Sequence, residues 1–521
     1  MTRIRVREPH LPQPDTEKFR LRSFVERLVQ QGHCVVHDQP IDLVDVATVL
    51  DGNPKAVWFR NVGPEKTELV GNVMGARERL ALALDSDGAG FAKALRERLA
   101  HPFEPIEVPS SAAPVHQVVL TGDDADLTKL PVHLQHGRDG APYISASMDF
   151  AKDPATGWTN IGCRRIMLRG PRTAGIDLIA PSDLKAIYLK GVAKGDKLPV
   201  AYVVGGHPTT FIAAVAATRA MDELHVLGAV RGEPVPVVKC KTIDAYVPAD
   251  AEYVLEGFLD ARGHAEPEGP YGEYCGYYGV VKRNPLFHLT AITRRKDALF
   301  QTVTISGKSL ARTDTSLLNA ARAEVAIWNV LEQAIREPVA VYLPGAAAGM
   351  TTVRVAMRQR NPGEAHNAIS AMFASLADVK HVYVFDDDID IFSDDQVEWA
   401  MATRFQADRD LIVGTGYRAV PIEPSLQGAR IGAKLGFDCT KPFGKGDSFE
   451  FTVAAPPVMP AREHGSVEET LTRGPASYLE LMAATGTRDG REILLTLDKL
   501  YAEGRLGRDE NGRYVLNGAK P

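Results

Sequence analysis

YISASMDFAKDPATGWTNIGCRRIMLRG, residues 143–170, decides the fold. Two short apolar runs, YISASMDF and RRIMLRG, lie between Gly, Pro and Asp signals and read as strands. The same pattern recurs on both sides. PVHQVVLTG (114–122), LPVAYVVGG (198–206), VPVVKCKTI (235–243), PLFHLTAITRR (285–295) and LFQTVTISG (299–307) are all short and punctuated. Strands at that density from about 115 to 310 predict a barrel or a sandwich. Two helices interrupt it, near 182–190 and 216–229.

Upstream the chain reads as α/β. Residues 1–16 are polar and proline-containing, an arm. In RLRSFVERLVQQ (20–31) Leu21, Phe24, Val25 and Leu28 share one helical face. AVWFRNV (56–62) and ELVGNV (68–73) are strand-like, and ARERLALAL (76–84) is helical. Downstream, residues 314–336 form a long helix. AVYLP, TTVRVAM and KHVYVFD then alternate with the helical GEAHNAISAMFASLA and SDDQVEWAMATRF, which predicts a third region with a buried sheet. The tail from about 461 reads as helix (ASYLELMAATG), helix (GREILLTLDKLYAEGRL) and an Asn-Gly hairpin (RDENGRYVLN), a winged-helix-like order. The domains expected are 1–112, 113–313, 314–458 and 459–521.

Composition narrows the function. Of 521 residues, 45% are apolar and 24% charged, which describes an ordinary globular protein. The net charge of −6 gives no drive toward nucleic acid or an anionic membrane. The tail is near neutral too, where a DNA-reading module should be basic. Five scattered cysteines form no CxxC pair, which fits a reducing cytosol and a cytoplasmic protein. The first residues, MTRIRVREPHLPQPD, have no apolar stretch of a signal peptide, and no window is apolar enough to span a membrane.

Four segments carry candidate chemistry. EPEGPYGEYCGYYG (266–279) sets Glu268 and Glu273 five apart among glycines and tyrosines. Glycines admit a ligand close to the backbone, and aromatic rings wall a flat one. Two carboxyls in one loop can be split into an acid and an ion-pair partner. The other reading is a hairpin with solvated acids. In WTNIGCRRIMLRG (158–170) strand alternation puts Arg165 beside Cys163, and Arg165 can fork onto a carboxylate. Otherwise its arginines are edge charges. The acids of VFDDDIDIFSDD (384–395) suit a hard cation or, more simply, cap the next helix and oppose Arg404 and Arg409. ARIGAKLGFDCTKPFGKG (429–446) offers Lys434 and Lys441 among glycines, either for a phosphate or as a solvated loop. His133 and His136, three apart near a strand end, read as structural rather than as metal ligands.

Together these segments resemble the UbiD family of prenylated-FMN-dependent decarboxylases over about 20–455. The carriers are LRSFVERLVQQG, NVMGARERLALAL, NIGCRR, MDELHVLGAVRGEPVPVVKC, EGPYGEYCGYY, VFDDDIDIFSDDQVEWAMATRFQADRD and GFDCTKP, in order and at matching spacing. The resemblance implies an N-terminal α/β domain, a central split β-barrel of flavin-reductase-like type that holds the flavin, and a C-terminal α/β domain that dimerises. It implies Arg165, Glu268 and Glu273 as the catalytic set, with Glu273 as proton donor and Glu268 holding Arg165. It implies prenylated FMN bound near Asn160, Ile161, Arg165, Glu223 and Lys434. The cofactor phosphate would sit on Mn2+ (or Mg2+) and K+, with Asn160 and Glu223 as metal ligands. The partners implied are a small carboxylic acid and CO2, a flavin prenyltransferase that supplies the cofactor, and a second copy of the chain. One departure stands out. The family's metal-ligating histidine, about 20 residues after the Asn, is missing from IDLIAPSDLKAIYLKG (176–191). Asp183, Asp177 or water are the candidate replacements. The activity expected is reversible decarboxylation of an aromatic, heteroaromatic or α,β-unsaturated acid; the alternative is a catalytically inactive subunit or scaffold.

Overall fold

The structure is a computed structural model that describes residues 5–6, 14–216, 221–446, 448–461 and 465–517. It divides into two compact units, Met1–Thr440 and Lys441–Pro521.

Six antiparallel strands close a barrel in the first unit. Around the ring they run Tyr143–Lys152, Thr159–Gly170, Thr173–Ile176, Leu286–Arg294, Tyr253–Leu259 and Leu198–Val204, which returns to the first. LPVAYVV shows why the runs are continuously apolar. Val200, Tyr202 and Val204 face the barrel core with Ile144, Ile166, Leu255 and Phe287. Ala201 and Val203 face outward onto a second core with Phe24, Leu28, Phe211 and Leu227. Both faces of the strand are buried, so alternation in polarity is lost.

Three of the runs expected in the barrel do something else. Val118–Thr121 only flanks the ring, on Leu286–Arg294. Pro236–Lys239 belongs to a separate sheet with Tyr246–Pro248, Ile106–Glu107 and Arg5–Val6, so part of the N-terminal arm is a strand. Phe300–Thr302 completes the sheet of Cys34–His37, Ala56–Val62 and Thr67–Gly71. Conversely, Thr173–Ile176 and Tyr253–Leu259 are ring strands that the runs did not flag. The helix expected near 216–229 is Glu223–Arg231, preceded by another at Pro208–Val215.

The Asp314–Ala334 helix leads into a five-stranded sheet ordered Pro338–Tyr342, Thr352–Met357, His381–Asp386, Ile431–Asp438, Leu411–Arg418. Its centre is parallel and its edges antiparallel. Ile327 and Leu331 with Ile369 and Met372 cover one face, and Phe385, Ile389, Val397 and Ala400 form a core on the other. Within the stretch 429–446, Ile431–Asp438 is a strand where a glycine-rich loop was one reading.

In the second unit, helices Val467–Arg473, Tyr478–Thr485 and Arg491–Ala502 pack with a hairpin of Leu506–Arg508 and Tyr514–Leu516. Val467, Leu471, Leu481, Ile493, Leu497 and Leu500 form its core. The first helix was not read from the sequence. Ser466/Glu469 and Ser477/Glu480 capping boxes fix the starts of two helices.

Candidate active site

The Thr159–Gly170 strand carries Arg165 opposite a bulge. Ile144 pairs with Ile166 and Ser147 with Arg164, so two residues of the neighbouring strand face Arg165 alone. Such a bulge re-aims the side chain opposite it. The EGPYGEYCGYYG segment folds back as a double hairpin. Glu266–Glu268 pairs with Lys282–Asn284, and Tyr271–Gly272 with Tyr278–Gly279. The turn therefore hangs both glutamates over Arg165.

The three residues meet. Arg165 Nε and Nη2 donate to the two oxygens of Glu268 at 2.9 and 3.1 Å, a fork onto a carboxylate. Arg165 Nη1 donates to Glu273 Oε1 at 2.7 Å. The guanidinium lies over the Tyr271 ring, 4.7 Å from its centre. Glu268 is 1% and Glu273 5% exposed, so neither is a solvated hairpin acid. Tyr143 donates its hydroxyl to Glu268 Oε1 at 3.0 Å, and burial together with Glu268 pushes that phenol's pKa well up. Burial works against the Arg165 charge, yet Glu268, Glu273 and Asp177 outweigh it and hold the guanidinium firmly protonated.

Asp177 joins this cluster rather than any metal set. Its Oδ2 is 2.8 Å from Arg165 Nη2 and 3.5 Å from Lys282 Nζ. Burial favours the neutral acid, but Arg165 and Lys282 outweigh it and keep the Asp177 pKa below the usual carboxylate range. Asp177 is thereby corrected as a candidate replacement for the missing histidine: its carboxylate is spent on two cations. Asn284 Nδ2 ties it to Glu268, at 3.3 and 3.1 Å.

Arg165, Asp177, Tyr271 and Glu273 border a cavity of about 300 Å³ whose other walls include Phe211, Val215, Ile305 and Leu318. It combines apolar walls with a few convergent polar groups, as ligand sites do. The 133–140 segment braces the loop from behind. Tyr271 donates its hydroxyl to Gln135, and the Gly272 amide donates to Asp139 Oδ1 at 2.9 Å. His133 bonds Thr302 Oγ1 at 3.0 Å and His136 bonds Asp139, so both histidines are structural.

A second cluster joins the first through Arg164. Arg164 lines the cavity and pairs with Asp149 at 3.1 Å, and Asn160 Nδ2 donates to Asp149 Oδ2 at 2.6 Å. The Ile161 amide donates to Glu223. Burial pushes the Glu223 pKa up to about 8, with Asp149, Asp183 and Asp222 adding to it against the Ile161 hydrogen bond. Burial likewise raises the fully buried Asp149 to about 6 despite Arg164 and Asn160. Asp149 Oδ1 faces Arg164 Nε as an ion pair without a well-formed hydrogen bond. The largely buried carboxylates of Asp149, Asp222 and Glu223, gathered in one place, fit a cation. Among the described residues no three His, Cys, Asp or Glu side chains converge closely enough to hold one by themselves.

Lys434 lies elsewhere. It borders a different cavity with Asp378 and Arg418, and its ammonium donates to the Phe373 carbonyl at 2.7 Å. Burial lowers its pKa. In the acidic run, Asp388 takes a bidentate pair from Arg404 at 2.9 and 2.8 Å, while Arg409 pairs with Asp410 and Ser393 caps the helix.

The sequence did not mark Lys282, Asn284, Tyr143 or Asp149. Their roles depend on strand register, which no local motif encodes.

Three domain families of 3-octaprenyl-4-hydroxybenzoate carboxy-lyase match in succession: the N-terminal domain over 25–99, the Rift-related domain over 106–309 and the C-terminal domain over 316–439. Anhydromevalonate phosphate decarboxylase of Methanosarcina mazei is 32% identical over 430 residues, 82% of this chain and 98% of the relative. The UbiD-class enzyme HmfF of Pelotomaculum thermopropionicum, solved in complex with FMN, superposes with a TM-score of 0.79 at 31% identity over 84% of this chain and 97% of HmfF. The 3,4-dihydroxybenzoic acid decarboxylase of Enterobacter cloacae gives 0.76 at 27% identity, again over 84% of this chain and 97% of its own.

Proposed function

The chain belongs to the UbiD family of carboxy-lyases, and on that premise we propose that it reversibly decarboxylates an aromatic, heteroaromatic or α,β-unsaturated acid with prenylated FMN, Glu273 being the proton donor. The observation that carries this reading is the convergence of Arg165, held by the buried Glu268, and Glu273 on one cavity wall.

Loss of CO2 from an sp2 carbon would leave a carbanion too basic to form unaided; prenylated FMN, when bound, supplies the electron sink. The chain's residues do the rest. Arg165, fixed by Glu268, orients the departing carboxylate. Glu273, on the wall of the cavity, delivers a proton to the carbon that CO2 leaves. Tyr271, Phe211 and Leu318 exclude water from the exchange. Asn160 and Glu223 would hold Mn2+ or Mg2+, which together with K+ would neutralise the cofactor phosphate. Asp183, whose charge acts on Glu223, is the remaining protein candidate for the missing histidine's place. Lys434 would reach the phosphate only by leaving the Phe373 carbonyl.

A flavin prenyltransferase supplies the cofactor, and the chain assembles as a homodimer or higher homo-oligomer; an evolved dimeric form of HmfF was solved with prFMN. No described helix is long and apolar enough to cross a membrane, and all five cysteines are free. The free thiols fit the reducing cytoplasm, where we place the protein.

The rival, an inactive subunit, draws on the missing histidine, but it leaves the buried Arg165–Glu268–Glu273 set without a purpose. Co-expression with a flavin prenyltransferase tests the two. An active enzyme purifies with a visible flavin spectrum and releases CO2 from a member of an acid panel that includes 3,4-dihydroxybenzoate, vanillate and anhydromevalonate phosphate. A colourless protein inert on every acid contradicts the proposal.

A further inference from the structure

The acid cluster around Arg165 carries more negative charge than one guanidinium can balance. Glu268, Glu273 and Asp177 all touch Arg165. The second cation is Lys282. In the hairpin ladder Lys282 stands directly opposite Glu268, and Asn284, two residues on, shares its face. Lys282 Nζ lies 3.4 Å from Glu273 Oε1 and 3.5 Å from Asp177 Oδ2. Arg165 and Lys282 therefore approach the same oxygen of Glu273. Gly279 packs close to that oxygen too, because a Cβ there would come to 2.5 Å from Glu273 Oε1.

We propose that Lys282 is a positioning residue for Glu273: shared with Asp177, its ammonium fixes Oε1 so that Oε2 is the oxygen that carries the proton toward the cavity. This rests on the reading of Glu273 as proton donor. Lys282 itself neither gives nor takes the proton.

The groups that bear on Glu273 come from several elements. Its own loop contributes Tyr271, Tyr274 and Cys275. Arg165 comes from the barrel, Asp177 from the end of the Thr173–Ile176 strand, and Lys282 from the hairpin. Glu268 acts through Arg165, and Asp139 and Tyr143 through Tyr271.

The test needs no substrate. Full-length protein labelled at the glutamate carboxyl carbons is titrated by 13C NMR, and the Glu273 resonance is identified by its loss in Glu273→Gln. Removing a cation at this distance in Lys282→Met should move the midpoint up by about one pH unit, and Lys282→Arg should restore it. In flavin-loaded enzyme Lys282→Met should lower kcat roughly tenfold with KM little changed, and Lys282→Arg should recover most of it. Coincident midpoints in Lys282→Met and the unsubstituted protein overturn the proposal. A shifted midpoint with full turnover by Glu273→Gln supports Lys282's hold on Glu273 and overturns the proton-donor reading instead.

Discussion

Glu273 is the residue on which the chemistry turns, and its surroundings make separable predictions. Glu273→Gln keeps the shape of the carboxyl but cannot deliver its proton, so turnover should fall below detection while flavin remains bound; absorbance and CO2 release on one preparation check both. Arg165→Ala removes three ion-pair contacts and leaves Glu268 buried without its cation. It should lose carboxylate positioning and flavin maturation together, read as loss of the mature flavin spectrum and of rate. Gly279→Ala is subtler. Its Cβ would press on Glu273 Oε1 and Cγ, at 2.5 and 3.1 Å, in a hairpin that is otherwise half open to solvent. The fold should survive with Tm within a few degrees, while kcat drops about tenfold or more, because a misplacement of an ångström costs that much at a reacting centre.

The barrel strands set those residues, and their pairing explains what could be read in advance. Arg165 and the two glutamates were legible because NIGCRR and EGPYGEYCGYY are local patterns. Lys282 and Asp177 were not, because their places come from the register Glu268↔Lys282 and from the ring order, both non-local. Periodicity likewise marked VPVVK and LFQTV as strands without saying which sheet each would join; both left the barrel. Asp177, in the stretch where a histidine was missed, turned out to answer Arg165. Ring closure has its own sensitive point. At Gly257 the register between Tyr253–Leu259 and Leu286–Arg294 shifts, and a Cβ there would overlap the His288 carbonyl and the Phe287 ring. Gly257→Ala should destabilise the barrel by roughly 3 kcal/mol, seen as a lowered Tm with flavin occupancy reduced in parallel.

For the whole molecule, the family domains end at residue 439 and the first compact unit at Thr440. The 441–521 unit has its own core. A chain stopped after Thr440 should therefore fold and bind flavin; gel filtration and the flavin spectrum check it. Acid should weaken the first unit through His133. Burial pushes its imidazole pKa down to about 4, from an unfolded value near 6.5. The unfolded chain then binds the extra proton first, so the stability contributed is full above about pH 6.5 and is lost as pH falls toward 4, by about 3 kcal/mol. Tm measured across that window should fall less steeply in His133→Gln. The central claim is that this fold brings a guanidinium and a proton-donating carboxyl to a carbon that loses CO2. Deuterium incorporation in D2O, followed on the best acid of the panel with flavin-loaded protein, tests it most directly. One deuterium should appear at the carbon vacated by CO2 in the unsubstituted enzyme and none with Glu273→Gln; equal incorporation by both would contradict Glu273 as the proton donor.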